Sequence, residues 1–166
     1  VNLDGWALQI RPETGGIWPR VPLTGVIGHG HYYLVRLAQG GPFGAPLPPA
    51  DLIGPDDLDP VQGALALTSD QNAILASCAA GPTVVDLVGY GAGTTCAESN
   101  PGPSQDPIMA IVREPACTDT DNNAADFQPM PANPKNSSET LGCNNQAPAI
   151  QPIADQTIME KFVLKM

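Results

Sequence analysis

The stretch that decides the fold is Thr83-Val-Val-Asp-Leu-Val-Gly-Tyr-Gly91, the densest run of β-branched and apolar residues in the chain. A Gly-Pro pair precedes it and a Gly-Ala-Gly run follows it, so turn residues bound a single strand. Apolar side chains fall on both of its faces, with Val85 and Leu87 on one and Val88 and Tyr90 on the other. Such a strand is typical of the interior of a layered β structure rather than of its rim.

The composition favours short strands over helices. The chain has 166 residues, of which 17 are Gly and 19 are Pro, and only 14% are charged. Each Gly or Pro in a helix interior costs about 1–3 kcal/mol, so long helices are disfavoured. The length fits one domain that can bury its own core. We therefore predict a single all-β domain.

The charge balance argues against several partners. Lys and Arg number 7 against 17 Asp and Glu, which gives a net charge of −10. Nucleic acids and anionic membranes bind basic surfaces, so we expect no direct contact with nucleic acid. No apolar run approaches the roughly 18 residues of a membrane span, and no signal peptide opens the chain. The first residues already read as mid-domain structure, so we expect a processed chain or a fragment.

The 4 cysteines predict disulfides rather than a metal site. None stands in a Cys-x-x-Cys pair, which makes zinc a poor explanation, whereas two disulfides suit a secreted protein. Three pairings are possible, and we favour the sequential one, Cys78–Cys96 with Cys117–Cys143. Each bond would close a loop of roughly twenty residues, worth about 3 kcal/mol in the loop-entropy model.

The rest of the chain predicts further short strands joined by turns. Residues 6–11 alternate, with Trp6, Leu8 and Ile10 on the inward face. Residues 38–60 are rich in Gly, Pro and acidic side chains, and we expect no regular element there. The other predicted strands are a return at 17–18 leading into an edge strand at 21–27, then 32–37, 63–67, a hairpin partner at 73–77, and 108–113 as the last strand of the domain.

Several of these pieces, in this order, resemble the lamin-tail domain. The first four motifs are Leu3-x-Gly-Trp6, Gly28-x-Gly-x-Tyr-Tyr-Leu-Val35, Gly63-x-Leu-Ala-Leu67 and Val84-Val-Asp-Leu-Val-Gly-Tyr-Gly91. The closing part is similar to the bacterial, secreted branch of that family, with Arg113, Asp119-Thr-Asp-Asn-Asn-Ala-Ala-Asp-Phe127 and Pro134-Lys-Asn-Ser-Ser138. The likeness covers roughly residues 1–140.

The resemblance implies an immunoglobulin-like β sandwich over residues 1–143, stapled by disulfides. It also implies a non-catalytic module, of the kind attached to extracellular nucleases, phosphatases or adhesive proteins. Paired cysteines around the central strand are usual in secreted relatives, which supports Cys78–Cys96. Residues 144–166 read as a Pro-rich linker and a strand-forming tail, similar to the start of a truncated cadherin- or immunoglobulin-like repeat.

The chain departs from the family pattern at its beginning, where one or two strands that normally precede the Gly-Trp strand are missing. A sandwich without them has unpaired backbone groups and an open apolar groove. We expect the tail of this chain or of a neighbour to fill that gap by β-strand addition, and head-to-tail filling would build a filament. A truncated, marginally stable chain is the alternative. The apolar residues of the tail are Ile158, Phe162, Leu164 and Met166.

One acidic stretch resembles the start of a calcium loop. Asp119-x-Asp121-x-Asn123, with Asp126 close by, supplies the converging carboxylate and amide oxygens that a hard cation needs. The Gly and the Glu of an EF-hand do not follow at their places. The alternative is a network of Asx turns in which these side chains cap their own backbone. Calcium is the one cofactor that the sequence suggests, and none is required.

The other polar candidates favour structural roles. The acidic residues Asp56, Asp57 and Asp59 are typical of a solvated loop, and His29 and His31 of a surface turn. Asp86 on the central strand has no paired acid or base in the sequence. We find no Gly-x-Ser-x-Gly elbow, no phosphate-binding Gly-rich loop and no His-Glu-x-x-His motif, so we do not expect an enzyme.

We therefore expect a bacterial, extracellular or cell-surface module with a structural or adhesive role. Its expected partner is a second copy of itself or a covalently linked neighbouring domain. Two alternatives stay open: an accessory domain of a secreted nuclease or phosphatase, and a calcium-dependent binding domain.

Overall fold

The computed structural model describes residues 1–12, 15–37, 46–104 and 108–141. These residues form short strands and one helical turn, so the all-β prediction is confirmed. The elements are β1 (Ala7–Ile10), β2 (Arg20–Pro22), β3 (Val35–Leu37), β4 (Leu52–Gly54), β5 (Gly63–Thr68), β6 (Val84–Tyr90), β7 (Met109–Arg113), α1 (Asn123–Asp126) and β8 (Phe127–Pro131).

A four-stranded sheet with the order β2-β1-β5-β6 forms the centre of the fold. All of its neighbouring strands are antiparallel, and Leu8 of β1 lies opposite both Val21 of β2 and Leu67 of β5. Two strand pairs accompany it: β3 and β4 are parallel, and β7 and β8 are antiparallel.

One face of the four-stranded sheet carries fully buried side chains, most of them small. We call it the small-residue face; its residues are Ala7, Gln9, Ala64, Ala66 and Thr68. Irregular chain containing Trp18, Ile74 and Ala79 packs against it and forms the main hydrophobic cluster with Ala64 and Ala66. Small side chains allow this chain to approach the sheet closely.

The burial of β1 differs from the prediction. Ile10 is buried as expected, but Leu8, expected on the same inward face, is only partly buried, whereas Gln9 is completely buried. The Gln9 amide donates to Thr68 Oγ1 (3.1 Å) and to Asn72 O (2.9 Å), and it accepts from Ile74 N (2.9 Å). Because these bonds satisfy the amide, its burial is tolerated, and β1 is covered on both faces.

The opposite face, which we call the leucine face, carries Leu8, Val21 and Leu67. Both strand pairs approach it. Gly54 of β4 packs so closely that an added Cβ would lie 2.9 Å from a methyl of Val21. Arg113 of β7 reaches Asp86 of β6, which lies opposite Leu67, at 3.3 Å.

The structure corrects the predicted elements in four places. Residues 17–18, predicted as a returning strand, form no strand, because Trp18 lies in the irregular chain that packs on the small-residue face. Residues 38–60, expected to hold no regular element, contain β4, which pairs with β3. Residues 73–77 form no strand, because this segment packs on the small-residue face instead of pairing at an edge. β7 is not the last strand, since β8 pairs with it from Phe127 to Pro131. The prolines of β8 conceal a strand in the sequence pattern.

The central strand of the prediction also lies elsewhere than expected. In the described part of the chain, β6 is the outermost strand of its sheet rather than an interior one. Val85 is 50% exposed, next to a shift in register between β6 and Leu67 and Thr68 of β5. The apolar run therefore predicted the strand itself but not its position.

The predicted disulfide Cys78–Cys96 is present and joins the two sides of β6. Cys96 is completely buried in the main hydrophobic cluster. No cysteine among the described residues is a free thiol. The predicted Cys117–Cys143 bond and the tail at 144–166 lie outside the described residues at Cys143 and beyond. No helix within the described ranges is long and apolar enough to cross a membrane.

Candidate functional site

The outer edge of β6 is closed by a side chain. Asn123, at the start of α1, is completely buried. Its Oδ1 accepts from Gly89 N (2.7 Å) and Glu98 N (3.1 Å), and its Nδ2 donates to Leu87 O (3.0 Å) and Glu98 Oε2 (3.0 Å). The carboxamide thus bonds one N–H and one C=O of β6, as a neighbouring strand would.

Two further groups complete this closure. Glu98 Oε1 accepts from Leu87 N (3.3 Å). Gly102 N donates to Gly89 O (2.8 Å), and Gly102 O accepts from Gly91 N (3.0 Å). Alternate residues of a strand direct their backbone groups to the same edge, so these contacts occupy the outward groups of residues 87, 89 and 91. This length of edge offers another strand little to bind.

Asp126, a predicted calcium ligand, is also committed to the fold. It is 2% exposed, and its carboxylate accepts from Thr120 N (3.0 Å) and Thr120 Oγ1 (2.7 Å). These two hydrogen bonds lower the pKa of Asp126. The Asp126 carboxylate therefore holds its own loop. The Asx turn of this loop is made by Asp119, whose Oδ1 accepts from Asp121 N (3.2 Å).

Arg113 gathers the acidic side chains of this region. Its guanidinium lies 3.0 Å from Asp119, 3.3 Å from Asp86 and 3.5 Å from Asp126, and it stacks on the Phe127 ring at 4.6 Å. Burial raises the pKa of Asp86, and the Arg113 charge opposes that rise. Asp86 is thus the partner of an arginine, which suits packing between β6 and β7.

A smaller acidic cluster remains, with a different membership from the predicted one. Carboxylate oxygens of Glu98, Asp119 and Asp121 lie within 4.8 Å of one another. Burial, followed by the charges of Asp86 and Asp119, raises the pKa of Glu98. Sequence reasoning missed Glu98 because it stands in a different loop from the Asp-rich stretch. Arg113 already balances the charge of Asp119, which makes the cluster a weaker site for a cation. Calcium binding stays a prediction.

The remaining polar candidates make contacts that suit structural roles. His31 Nδ1 donates to Ser137 O (2.9 Å), which ties the predicted surface turn to a second loop. In the acidic loop, Gln62 N and Val61 N donate to Asp59 Oδ1 and lower the pKa of Asp59. These side chains stabilise the turns in which they stand.

An apolar pocket of about 330 Å³ opens between the leucine face and the chain around β3. It is lined by Leu3, Leu8, Leu23, Ile27, Val35 and Leu67, together with Tyr33. The Tyr33 hydroxyl, the one polar side-chain group of this lining, donates to Thr24 O (2.9 Å). A pocket with so few polar groups suits apolar side chains rather than a sugar or a phosphate.

The pocket lies beside an open strand edge. Leu34 O accepts from Leu52 N (3.1 Å), so this residue directs its backbone carbonyl toward β4. By alternation, Tyr33 and Val35 direct theirs to the opposite edge, and no described strand pairs with β3 there. Two residues that line the pocket therefore also border this edge. Sequence analysis expected an open apolar groove but named none of the residues that line this pocket as forming it.

Comparison of the chain with protein-family models, with curated proteins and with solved structures gives no significant match in any of the three.

Proposed function

We propose that this protein is a non-catalytic, extracellular structural or adhesive module that joins copies of itself by β-strand addition. The observation that carries the proposal is the apolar pocket beside the open edge of β3. In strand addition, main-chain hydrogen bonds along a sheet edge supply affinity, and pockets receive alternate side chains of the added strand. An edge and a pocket that share Tyr33 and Val35 meet both requirements.

The immunoglobulin-like, lamin-tail-like sandwich is part of this proposal. A sandwich needs two sheets packed face to face over an apolar core. The four-stranded sheet would form one layer, and the β3–β4 and β7–β8 pairs, which approach the leucine face, would form the other. The Cys78–Cys96 disulfide supports an oxidising, extracellular location.

The two edges of the four-stranded sheet favour β3 as the receiving edge. On one side, Asn123, Glu98 and Gly102 occupy the outward backbone groups of Leu87 and Gly89 on β6. On the other side, β2 ends at Pro22, which has no N–H to donate. A strand that binds through a regular ladder is therefore disfavoured at both edges and is best received at β3.

A charge placed in the pocket tests the proposal. Ile27→Glu puts a carboxylate among apolar side chains, and the cost of desolvating it should reduce the mass of the assembly measured by light scattering. The matched control is Val26→Glu, because Val26 is 71% exposed and does not line the pocket. Equal masses for the two variants, both with wild-type melting temperatures, would contradict the proposal.

The two alternative functions have their own tests. An accessory domain of a secreted hydrolase predicts a monomer at every concentration. A calcium-dependent domain predicts a higher melting temperature in excess calcium than in chelator, because an ion bound only to the folded state stabilises it. An unchanged melting temperature would contradict calcium binding, including binding at the cluster of Glu98, Asp119 and Asp121.

A further inference from the structure

We infer that the strand received at this pocket is residues 158–166 of this chain, with Phe162, Leu164 and Met166 directed into it. The inference rests on the proposed strand addition and names its donor. It also assigns the receiving site to the edge of β3 and to the pocket between β3 and the leucine face.

The pattern of the segment fits an apolar pocket on one side only. In an extended strand, Phe162, Leu164 and Met166 share a face, and Lys161 and Lys165 lie on the other. The pocket offers aliphatic walls, and its Tyr33 hydroxyl is already bonded to Thr24 O. The two lysines would face outward on a protein whose net charge is −10, which favours their solvent-side placement.

The described chain ends beside the turn that leads into the pocket. Leu141 N donates to Gly30 O (2.6 Å), and Tyr32 N donates to Glu139 O (3.4 Å). Tyr33, the residue after Tyr32, lines the pocket, and Ile27 lines it just before the same turn. The chain between Leu141 and the segment can span roughly 50 Å when extended, at about 3.3 Å per residue. The segment can therefore reach this pocket or that of a neighbouring copy.

The identity of the donor and the assembly of copies are separate questions. Insertion into a neighbour's pocket joins copies, as the proposed function requires. Insertion into the pocket of the same chain gives a closed monomer with the same contacts. The donor is thus tested by binding at the pocket, and the assembly is tested by mass.

The test uses the full-length chain with Phe162→Asp as receiver, since its own segment then cannot fill the pocket. Labelled synthetic peptides of residues 154–166 are titrated in three forms: wild type, Phe162→Asp and Val163→Asp. We expect the wild-type and Val163→Asp peptides to bind within about twofold of each other. The Phe162→Asp peptide should bind at least about tenfold more weakly, since a buried unpaired carboxylate costs more than 1.4 kcal/mol.

The location of binding is read from methyl NMR signals of the receiver. Shifts should concentrate on Leu8, Val35 and Leu67, which line the pocket. Equal binding of the two Asp peptides, no binding of the wild-type peptide, or shifts confined to methyls elsewhere would overturn the inference. Binding of the wild-type peptide only after Phe43, in the segment 38–45, is also replaced by Asp in the receiver would overturn it too, because that segment would then be the occupant of the pocket. A wild-type monomer that still passes this test would refute only the proposed assembly.

Discussion

Asn123 makes hydrogen bonds along the edge of β6 of the kind that a neighbouring strand would make. Its carboxamide makes hydrogen bonds to Gly89 N and Leu87 O on the strand edge, and to Glu98 in the adjacent loop. The sequence placed Asn123 among calcium ligands because an Asn in an Asp-rich loop looks alike in both roles. Burial of the side chain, which the sequence does not show, is what distinguishes a cap on an edge strand from a cation ligand.

Replacement of Asn123 by Ala should destabilise the protein by about 3 kcal/mol, because it leaves buried groups of β6 unsatisfied. The measurement is urea unfolding. Asn122→Ala is the matched control, since the buried Asn122 Oδ1 has no hydrogen-bond partner in the described part of the chain. We expect that variant to differ from wild type by less than about 0.5 kcal/mol. Equal losses in both variants would refute the capping role.

The raised pKa of Tyr90 predicts that the protein loses stability at alkaline pH. Burial, followed by the nearby charges of Asp59 and Asp57, raises the pKa of Tyr90 to about 12. The unfolded chain releases this proton near pH 10 and the folded protein holds it until about pH 12, so stability should fall as pH rises through that window. Tyr90→Phe should lose less of its melting temperature across the same range. Parallel declines in both proteins would contradict the assignment.

At the scale of elements, residues 96–97 of the disulfide-linked loop pack directly against β6 because Gly89 has no side chain. A Cβ on Gly89 would lie 2.1 Å from Cys96 O and 2.5 Å from Ala97 Cβ. A Cβ on Gly102, which pairs with the same strand, would meet its neighbours at ordinary distances of 3.4 Å or more. The close packing of residues 96–97 on β6 thus depends on Gly89.

Gly89→Ala should therefore destabilise the protein by roughly 3 kcal/mol, because the loop must move away from β6. Gly102→Ala, the same chemical change on the same edge, should cost less than about 1 kcal/mol. Thermal and urea unfolding of the two variants would measure the difference. A Gly89→Ala protein as stable as Gly102→Ala would contradict the described packing.

Some elements are easier to predict from the sequence than others. β5 and β6 were predictable because each is an apolar run bounded by turn residues. β4 was missed because three residues that pair in parallel with a distant strand leave no local pattern. Residues 73–77 look like a hairpin partner, yet the buried Gln9 amide binds this segment and holds it across the sheet face.

At the scale of the molecule, composition was enough to predict an all-β fold. The favoured one of three possible cysteine pairings, which the lamin-tail resemblance supported, contained the Cys78–Cys96 bond that the structure shows. The candidate site was not predictable in detail. The pocket brings together Leu3, Ile27, Val35 and Leu67, which no local spacing connects. Residues that meet only through sheet register and loop packing leave no signal in a single sequence.

The solution mass of the wild-type protein, measured by light scattering over a rising concentration series, tests the central claim most directly. Strand addition between copies predicts a mass that increases with concentration from that of the 17.2 kDa chain toward oligomers, with fibres by electron microscopy at the upper end. A constant mass of one chain across the series would contradict assembly and favour a detached accessory module.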